Sequence, residues 1–152
     1  MKKKICFAAS SGGHFEQIMM LSPLIKKYSS FLVTEKTQYK TKIDQKIYFL
    51  RQLNRREPLI IFKFLVTVLQ SLYVFIKERP NIYISTGALS TIPLAFIIKA
   101  FRGKVIFIES FAKVSSPTYT GRLLYKIADR FYIQWKGLQK YYPKAIYLGG
   151  IY

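Results

Sequence analysis

A doubly wound α/β domain on a mainly parallel sheet is the fold class this sequence predicts. Three observations carry the prediction. Short runs rich in Ile, Val, Phe and Tyr alternate with helix-length segments along the whole chain. Most of these runs are continuously apolar rather than alternating, which suits strands covered by helices on both faces. Breakers fall between the segments, at Pro80-Asn81, Gly103 and Pro143. Such alternation argues for parallel strands joined by crossover helices. The 152 residues suffice for one sizeable core, so residues 1–152 are expected to form a single Rossmann-like domain.

The first strand is expected at 4–9, where Ile5-Cys6-Phe7-Ala8-Ala9 is unbroken and apolar. Cys6, the only cysteine, cannot form an internal disulfide and reads as a buried, inert thiol. The Met-Lys-Lys-Lys start resembles the basic end of a secretory leader. Gly12-Gly13-His14 arrives too soon for a leader's apolar core, so no cleavage is expected. A helix over 14–27 follows, then strands at 30–34 and 47–50, with the polar, basic Lys36–Lys46 between them read as a mobile loop.

The helix predicted over 58–78 is almost wholly apolar from Leu59 to Ile76. Lys63, Thr67, Gln70 and Ser71 fall on one narrow stripe. Three placements fit it: a core helix between layers, a helix in the membrane interface, or a bilayer span. Arg51, Arg55 and Arg56 before it, and Lys77 and Arg79 after it, suit anionic headgroups. The remaining elements are a strand at 82–85, a helix at 90–101, a strand at 104–109, a helix at 119–128, a strand at 131–134, a helix at 136–141 and a strand at 145–148.

A formal charge of +18 points to an anionic partner. Nucleic acid is the poorer candidate. The 12 Phe and 12 Tyr lie mostly inside apolar runs, and neither an RNP-like nor a helix-turn-helix pattern is visible. An anionic membrane surface or a phosphorylated substrate fits better.

In open α/β sheets ligands bind beyond the carboxyl ends of the strands. There this chain places Ser10-Ser11-Gly12-Gly13-His14, then Ser85-Thr86-Gly87, Glu109-Ser110, Gln134-Trp135 and Gly149-Gly150. A strand, a glycine turn and a helix start present backbone N–H groups and a positive dipole end to a phosphate. His14, the only histidine, sits at that helix start, where its pKa should be depressed. A neutral imidazole there suits a general base, and the same position also suits a capping or loop-packing histidine. Glu109 ends the apolar run Val105–Ile108, so its carboxylate is expected at a strand tip. It could accept a hydrogen bond from a substrate hydroxyl, orient His14, or serve a backbone N–H or a nearby arginine. Glu16, Glu57, Glu78 and Asp129 read as helix-end or helix-surface residues, and Glu35 and Asp44 as flanks of the basic loop. No Walker motif, full dinucleotide glycine pattern, Cys/His cluster or D-x-D pair occurs. No metal site or cofactor is expected.

The order S-G-G-H, S-T-G, I-E-S, Y-K-I-A-D-R-F-Y-I-Q-W and L-G-G resembles the acceptor-side subunits of split UDP-sugar glycosyltransferases. These include the bacterial PssD-type proteins of capsule and exopolysaccharide synthesis. A eukaryotic relative is the membrane subunit of the UDP-N-acetylglucosamine transferase of dolichol-linked glycan assembly. The resemblance implies a fold like the N-terminal domain of a GT-B enzyme such as MurG. It also implies metal-independent sugar transfer to a polyprenyl-diphosphate-linked acceptor at the cytoplasmic face of the membrane. The UDP-sugar would be a co-substrate bound mainly by a second, donor-binding chain, and this chain alone is expected to be inactive. Carried onto these residues, His14 and Glu109 are the catalytic candidates. Ser11, Gly12, Gly13, Ser85, Thr86, Gly87, Ser110, Gln134, Trp135, Gly149 and Gly150 are the substrate-binding candidates. A non-catalytic membrane anchor that recruits the catalytic chain is the alternative.

Overall fold

The computed structural model describes residues 3–36, 44–54 and 57–152. Most of the basic loop read at Lys36–Lys46, with Arg55 and Arg56, lies outside them. The described chain runs β1 (Ile5–Ala9), α1 (Gly13–Met19), α2 (Ser22–Lys27), β2 (Ser30–Glu35), β3 (Ile47–Leu50), α3 (Ile60–Glu78) and β4 (Ile82–Gly87). It continues through α4 (Ile92–Ala100), β5 (Lys104–Ile108), α5 (Tyr119–Leu124), β6 (Arg130–Ile133) and β7 (Ile146–Tyr147).

The strands form one sheet in the order β3-β2-β1-β4-β5-β6-β7, and every pairing is parallel. The chain therefore builds outward from β1 to β3, returns through α3 to lay β4 beside β1, and builds outward on the other side. The switch point lies between the carboxyl ends of β1 and β4, where such sheets hold ligands. All five residues of β1 are buried, because side chains alternate between faces and both faces are covered. Ile5, Phe7 and Ala9 join Ile18 and Ile25 beneath α1 and α2. Cys6 and Ala8 share the other core with Leu94, Ile98 and Leu124 beneath α4 and α5. Burial, and then the nearby charge of Glu78, push the Cys6 thiol well above its ordinary range, so it stays protonated.

Helix boundaries depart from expectation for local reasons. The helix predicted over 14–27 is two, α1 and α2, with Pro23 in the first turn of the second; proline is tolerated at a helix start and breaks a helix interior. The segment predicted as a helix at 90–101 opens as a 3-10 turn at Leu89–Thr91 before α4. The helix predicted at 119–128 ends at Leu124, and that predicted at 136–141 is a 3-10 helix over Lys136–Lys140.

Two carboxylates read as helix-end or surface groups also tie elements together. Glu78, only 5% exposed, accepts hydrogen bonds from Lys46 and Tyr48 and pairs with Lys4, so the end of α3 is bound to β1 and β3. Asp129 accepts from the Val105 amide at 2.9 Å and from Lys99 and Lys104, fixing the start of β5.

Helix α3 is inside out for a surface helix. Thr67, Ser71, Val74 and Glu78 are the side it buries. Leu59 just ahead of it and Ile61, Phe62, Leu65, Leu69, Tyr73 and Ile76 along it are exposed. It is long and apolar enough to cross a bilayer by length and composition and packs against α4 and β3.

Candidate functional site

The turn after β1 and the end of β4 build the site at the switch point. Gly12 caps α1 with φ 77°, a left-handed conformation that glycine adopts without a Cβ penalty. Phe15 and Glu16 close on the Gly12 carbonyl. The amides of Gly13 and His14 lie in the first helical turn, where no intrahelical acceptor exists. Beyond the ideal Cβ positions of Gly12 and Gly13 there is open space.

His14 is clamped to β4 from both ends. Its Nδ1 lies 2.7 Å from the Thr86 carbonyl oxygen, and the Thr86 hydroxyl donates to the His14 carbonyl at 2.7 Å. A carbonyl only accepts, so Nδ1 carries the proton and the neutral ring keeps its lone pair on Nε2. The ring lies over Gly87, whose φ is 124°; a Cβ there would stand 2.9 Å from His14 Cε1. Burial pulls the His14 pKa below 6.5, against the opposing pull of the Thr86 carbonyl and the Glu109 charge. The ring is therefore neutral at physiological pH.

His14 lines a cavity of about 540 Å³ together with Ser10, Glu35, Gly87, Lys113 and Arg122. Lys113 and Arg122 are exposed, and neither pairs with a carboxylate among the described residues. The cavity thus combines a base-competent nitrogen and two unneutralised cations. Such a set has the chemistry to hold a phosphate and to take a proton from a hydroxyl. No cluster of three or more His, Cys, Asp or Glu able to hold a metal occurs among the described residues.

Glu109 lies beneath this cavity. It is fully buried, and its oxygens accept from the Ser110 amide (2.8 Å), the Thr118 hydroxyl (2.8 Å), the Thr118 amide (3.1 Å) and the Tyr142 hydroxyl (2.6 Å). Four donors occupy the lone pairs of a carboxylate, which leaves no face for a substrate hydroxyl. Thr118 in turn caps α5 by accepting from the Gly121 amide at 2.8 Å. Glu109 therefore secures the segment that carries Lys113, Thr118 and Arg122 to the cavity wall. Of the roles open to it in the sequence, holding backbone N–H groups is the one the geometry fulfils.

The other expected site residues divide. Ser11 donates its amide to Glu35. Ser85 and Thr86 are buried and act within the loop: Ser85 Oγ accepts from the Gly87 amide. Ser110 and Gln134 are buried too. Gln134 donates to the Glu109 carbonyl (2.7 Å) and Gln17 (3.0 Å) and accepts from the Ile151 amide (2.8 Å), a bracket between β6 and the last residues. Trp135 donates to the Phe111 carbonyl and stacks on its ring at 5.0 Å. Gly149 and Gly150 border a separate, shallow hollow of about 150 Å³, so the structure does not bring them to His14.

Glu35, the residue just before the basic loop, also ends β2, 5% exposed, and lines the His14 cavity. It accepts from the Ser90 hydroxyl at 2.9 Å and from the Leu53 and Ser11 amides. Burial outweighs these bonds and raises its pKa above 4.5. Its place at the end of a strand next to β1 was the available sequence signal. Lys113, Thr118 and Arg122 gave none, because only the closing of the loop after β5 brings them to the cavity.

Comparison with known proteins fits this architecture. Residues 5–151 match the family model described as "Oligosaccharide biosynthesis protein Alg14 like". The UDP-N-acetylglucosamine transferase subunit ALG14 of Homo sapiens is 24% identical over 97% of this chain and 82% of its own length. The corresponding subunit of Candida albicans is 33% identical over 60% of this chain, an alignment that spans only 43% of that relative. Among solved structures, MurG of Acinetobacter baumannii superposes with a TM-score of 0.67 at 13% identity, over 86% of this chain and 41% of MurG. The UDP-GlcNAc 2-epimerase of Neisseria meningitidis gives 0.68 at 12% identity, over 97% of this chain and 47% of the epimerase. At these identities the structural likeness is one of fold, and this chain spans less than half of either neighbour. With the family model covering nearly its whole length, the chain belongs to the Alg14-like family of oligosaccharide biosynthesis proteins.

Proposed function

We propose that this chain is the acceptor-side subunit of a two-chain glycosyltransferase. A partner chain supplies most of the nucleotide-sugar site, and this chain alone gives no turnover. The donor is UDP-N-acetylglucosamine, as the names of the relatives suggest, and the acceptor is a polyprenyl-diphosphate-linked sugar. The acceptor diphosphate lies against Lys113, Arg122 and the Gly13 and His14 amides. His14 Nε2 takes the proton from the acceptor hydroxyl. The freed oxygen attacks the anomeric carbon, the bond to UDP breaks, and UDP leaves. His14 is the catalytic residue, and Glu109 and Gly87 are positioning residues. On the sequence resemblance alone, the product belongs to polysaccharide assembly of the capsule or exopolysaccharide kind.

The chain docks peripherally on the cytoplasmic leaflet through the outward face of α3. A span would strip the Glu78 carboxylate from Lys4, Lys46 and Tyr48 and turn the buried Thr67 and Ser71 toward hydrocarbon. Docking leaves them in place.

One observation carries the catalytic reading: Thr86 fixes the tautomer of a neutral histidine beside two unpaired cations. The test is transfer from labelled UDP-N-acetylglucosamine to a polyprenyl-diphosphate sugar by the co-purified pair. General-base assistance contributes about 10²–10⁴ in rate. His14→Ala is expected to lose at least about two orders of magnitude while the pair still co-purifies. Near-normal turnover by that intact pair would reduce this chain to an anchor that recruits the catalytic subunit.

A further inference from the structure

A second groove lies at the opposite edge of the sheet, where β4 and β5 begin. The last turns of α3 and α4 wall it with Leu72, Phe75, Ile76 and Phe101, and Arg79 and Arg102 stand at it, around a volume of about 590 Å³. Phe75 and Phe101 stack with centroids 4.7 Å apart, and Phe101 is 69% exposed. Arg79 and Arg102 hold positive φ, 46° and 62°. Non-glycine residues seldom enter that region, and helix ends that need it usually carry glycine. Both helices thus end on an arginine where backbone conformation favours glycine, and both arginines meet at one groove.

Neither arginine has a carboxylate partner among the described residues; Glu57, Glu78 and Asp129 are taken by lysines. The groove therefore offers an open apolar floor with two unneutralised guanidinium groups at its rim. Leu72 and Ile76 also belong to the outward face of α3, so floor and docking face are continuous.

We propose that this groove binds one anionic glycerophospholipid. Its phosphate lies between Arg79 and Arg102, and its hydrocarbon lies along Phe75, Ile76 and Phe101. The guanidinium fork matches phosphate oxygens in paired hydrogen bonds. A free phosphate would leave the aromatic floor bare to water, and an uncharged lipid would leave both cations unanswered. The inference rests on the membrane docking proposed for α3 and adds to it a selective headgroup site, remote from the His14 cavity.

The test is co-flotation of the 152-residue chain with vesicles of phosphatidylcholine, with and without phosphatidylglycerol. The unchanged chain should prefer vesicles that contain phosphatidylglycerol. A basic residue at an anionic surface contributes about fivefold in affinity. R79Q/R102Q should therefore lose about thirtyfold on those vesicles and bind pure phosphatidylcholine as before. K26Q/K27Q removes the same charge from α2, on the other face of the sheet, and should keep the preference. Equal losses in the two double variants would overturn the site in favour of diffuse charge, as would equal binding of the unchanged chain to both vesicles. Failure to bind either vesicle would instead remove the docking reading itself. Monomeric dihexanoyl phosphatidylglycerol should shift the NMR amide signals of Arg79, Arg102 and Gly103. Equal shifts with inorganic phosphate would overturn the lipid assignment.

Discussion

His14 shows how little a single side chain decides without its frame. Its imidazole could cap, pack or act as a base. The Thr86 carbonyl selects one tautomer, the bare Cα of Gly87 gives the ring room, and burial keeps it uncharged. Because its pKa is depressed, protonation removes the base only below the ordinary histidine range. The acid limb of transfer by the intact pair is therefore expected below pH 6.5, checked by a rate profile against pH. A limb at or above that value would detach the rate from this ring. Position and residue type made His14 legible in the sequence. Glu109 was legible as a strand-tip carboxylate, but its full burial and its four donors were not, because Thr118 and Tyr142 reach it only through later turns of the chain.

Two helices carry consequences of their own. In α5 a Cβ on Gly121 would lie 2.2 Å from Glu109 Oε2 and 2.6 Å from the Tyr142 hydroxyl. Gly121→Ala must push the helix off the carboxylate it helps enclose, so a loss of about 2 kcal/mol is expected, measured by denaturant unfolding. In α3 the sequence showed a narrow polar stripe but not its direction. The structure turns the stripe inward, since α4 and β3 supply the packing that the buried positions face. Leu65 and Leu69 point outward. L65E/L69E is expected to abolish vesicle binding and leave unfolding within about 0.5 kcal/mol of the unchanged chain, as for surface positions.

Across the whole molecule, 25 basic residues meet seven acids, and some of those acids work as ties. Burial alone would raise Glu78, but Lys4, Lys46 and Tyr48 outweigh it and hold the carboxyl at about 2, against an ordinary 4.5. Asp129 is depressed in the same way: burial is overcome by Lys99, the Val105 amide and Lys104. A carboxylate with a lowered folded pKa stabilises the native state above its unfolded pKa and ceases to do so as pH falls through the folded one. Thermal stability is therefore expected to drop between about pH 4.5 and pH 2, followed by calorimetry. The drop should shrink in E78Q, which has no such charge to lose.

The sequence by itself determined the fold class, the seven strands and the loop that carries His14. These depend on local apolar periodicity and on glycine and proline at turns, which act over a few residues. It could not determine that Glu35, Lys113 and Arg122 share a cavity with His14, that Gly149 and Gly150 lie apart from it, or which way α3 faces. Those facts depend on strand order and helix packing. The parallel crossovers bring together the tips of β1, β2 and β4 and the loop after β5, far apart in the chain. Only the assembled sheet sets those distances.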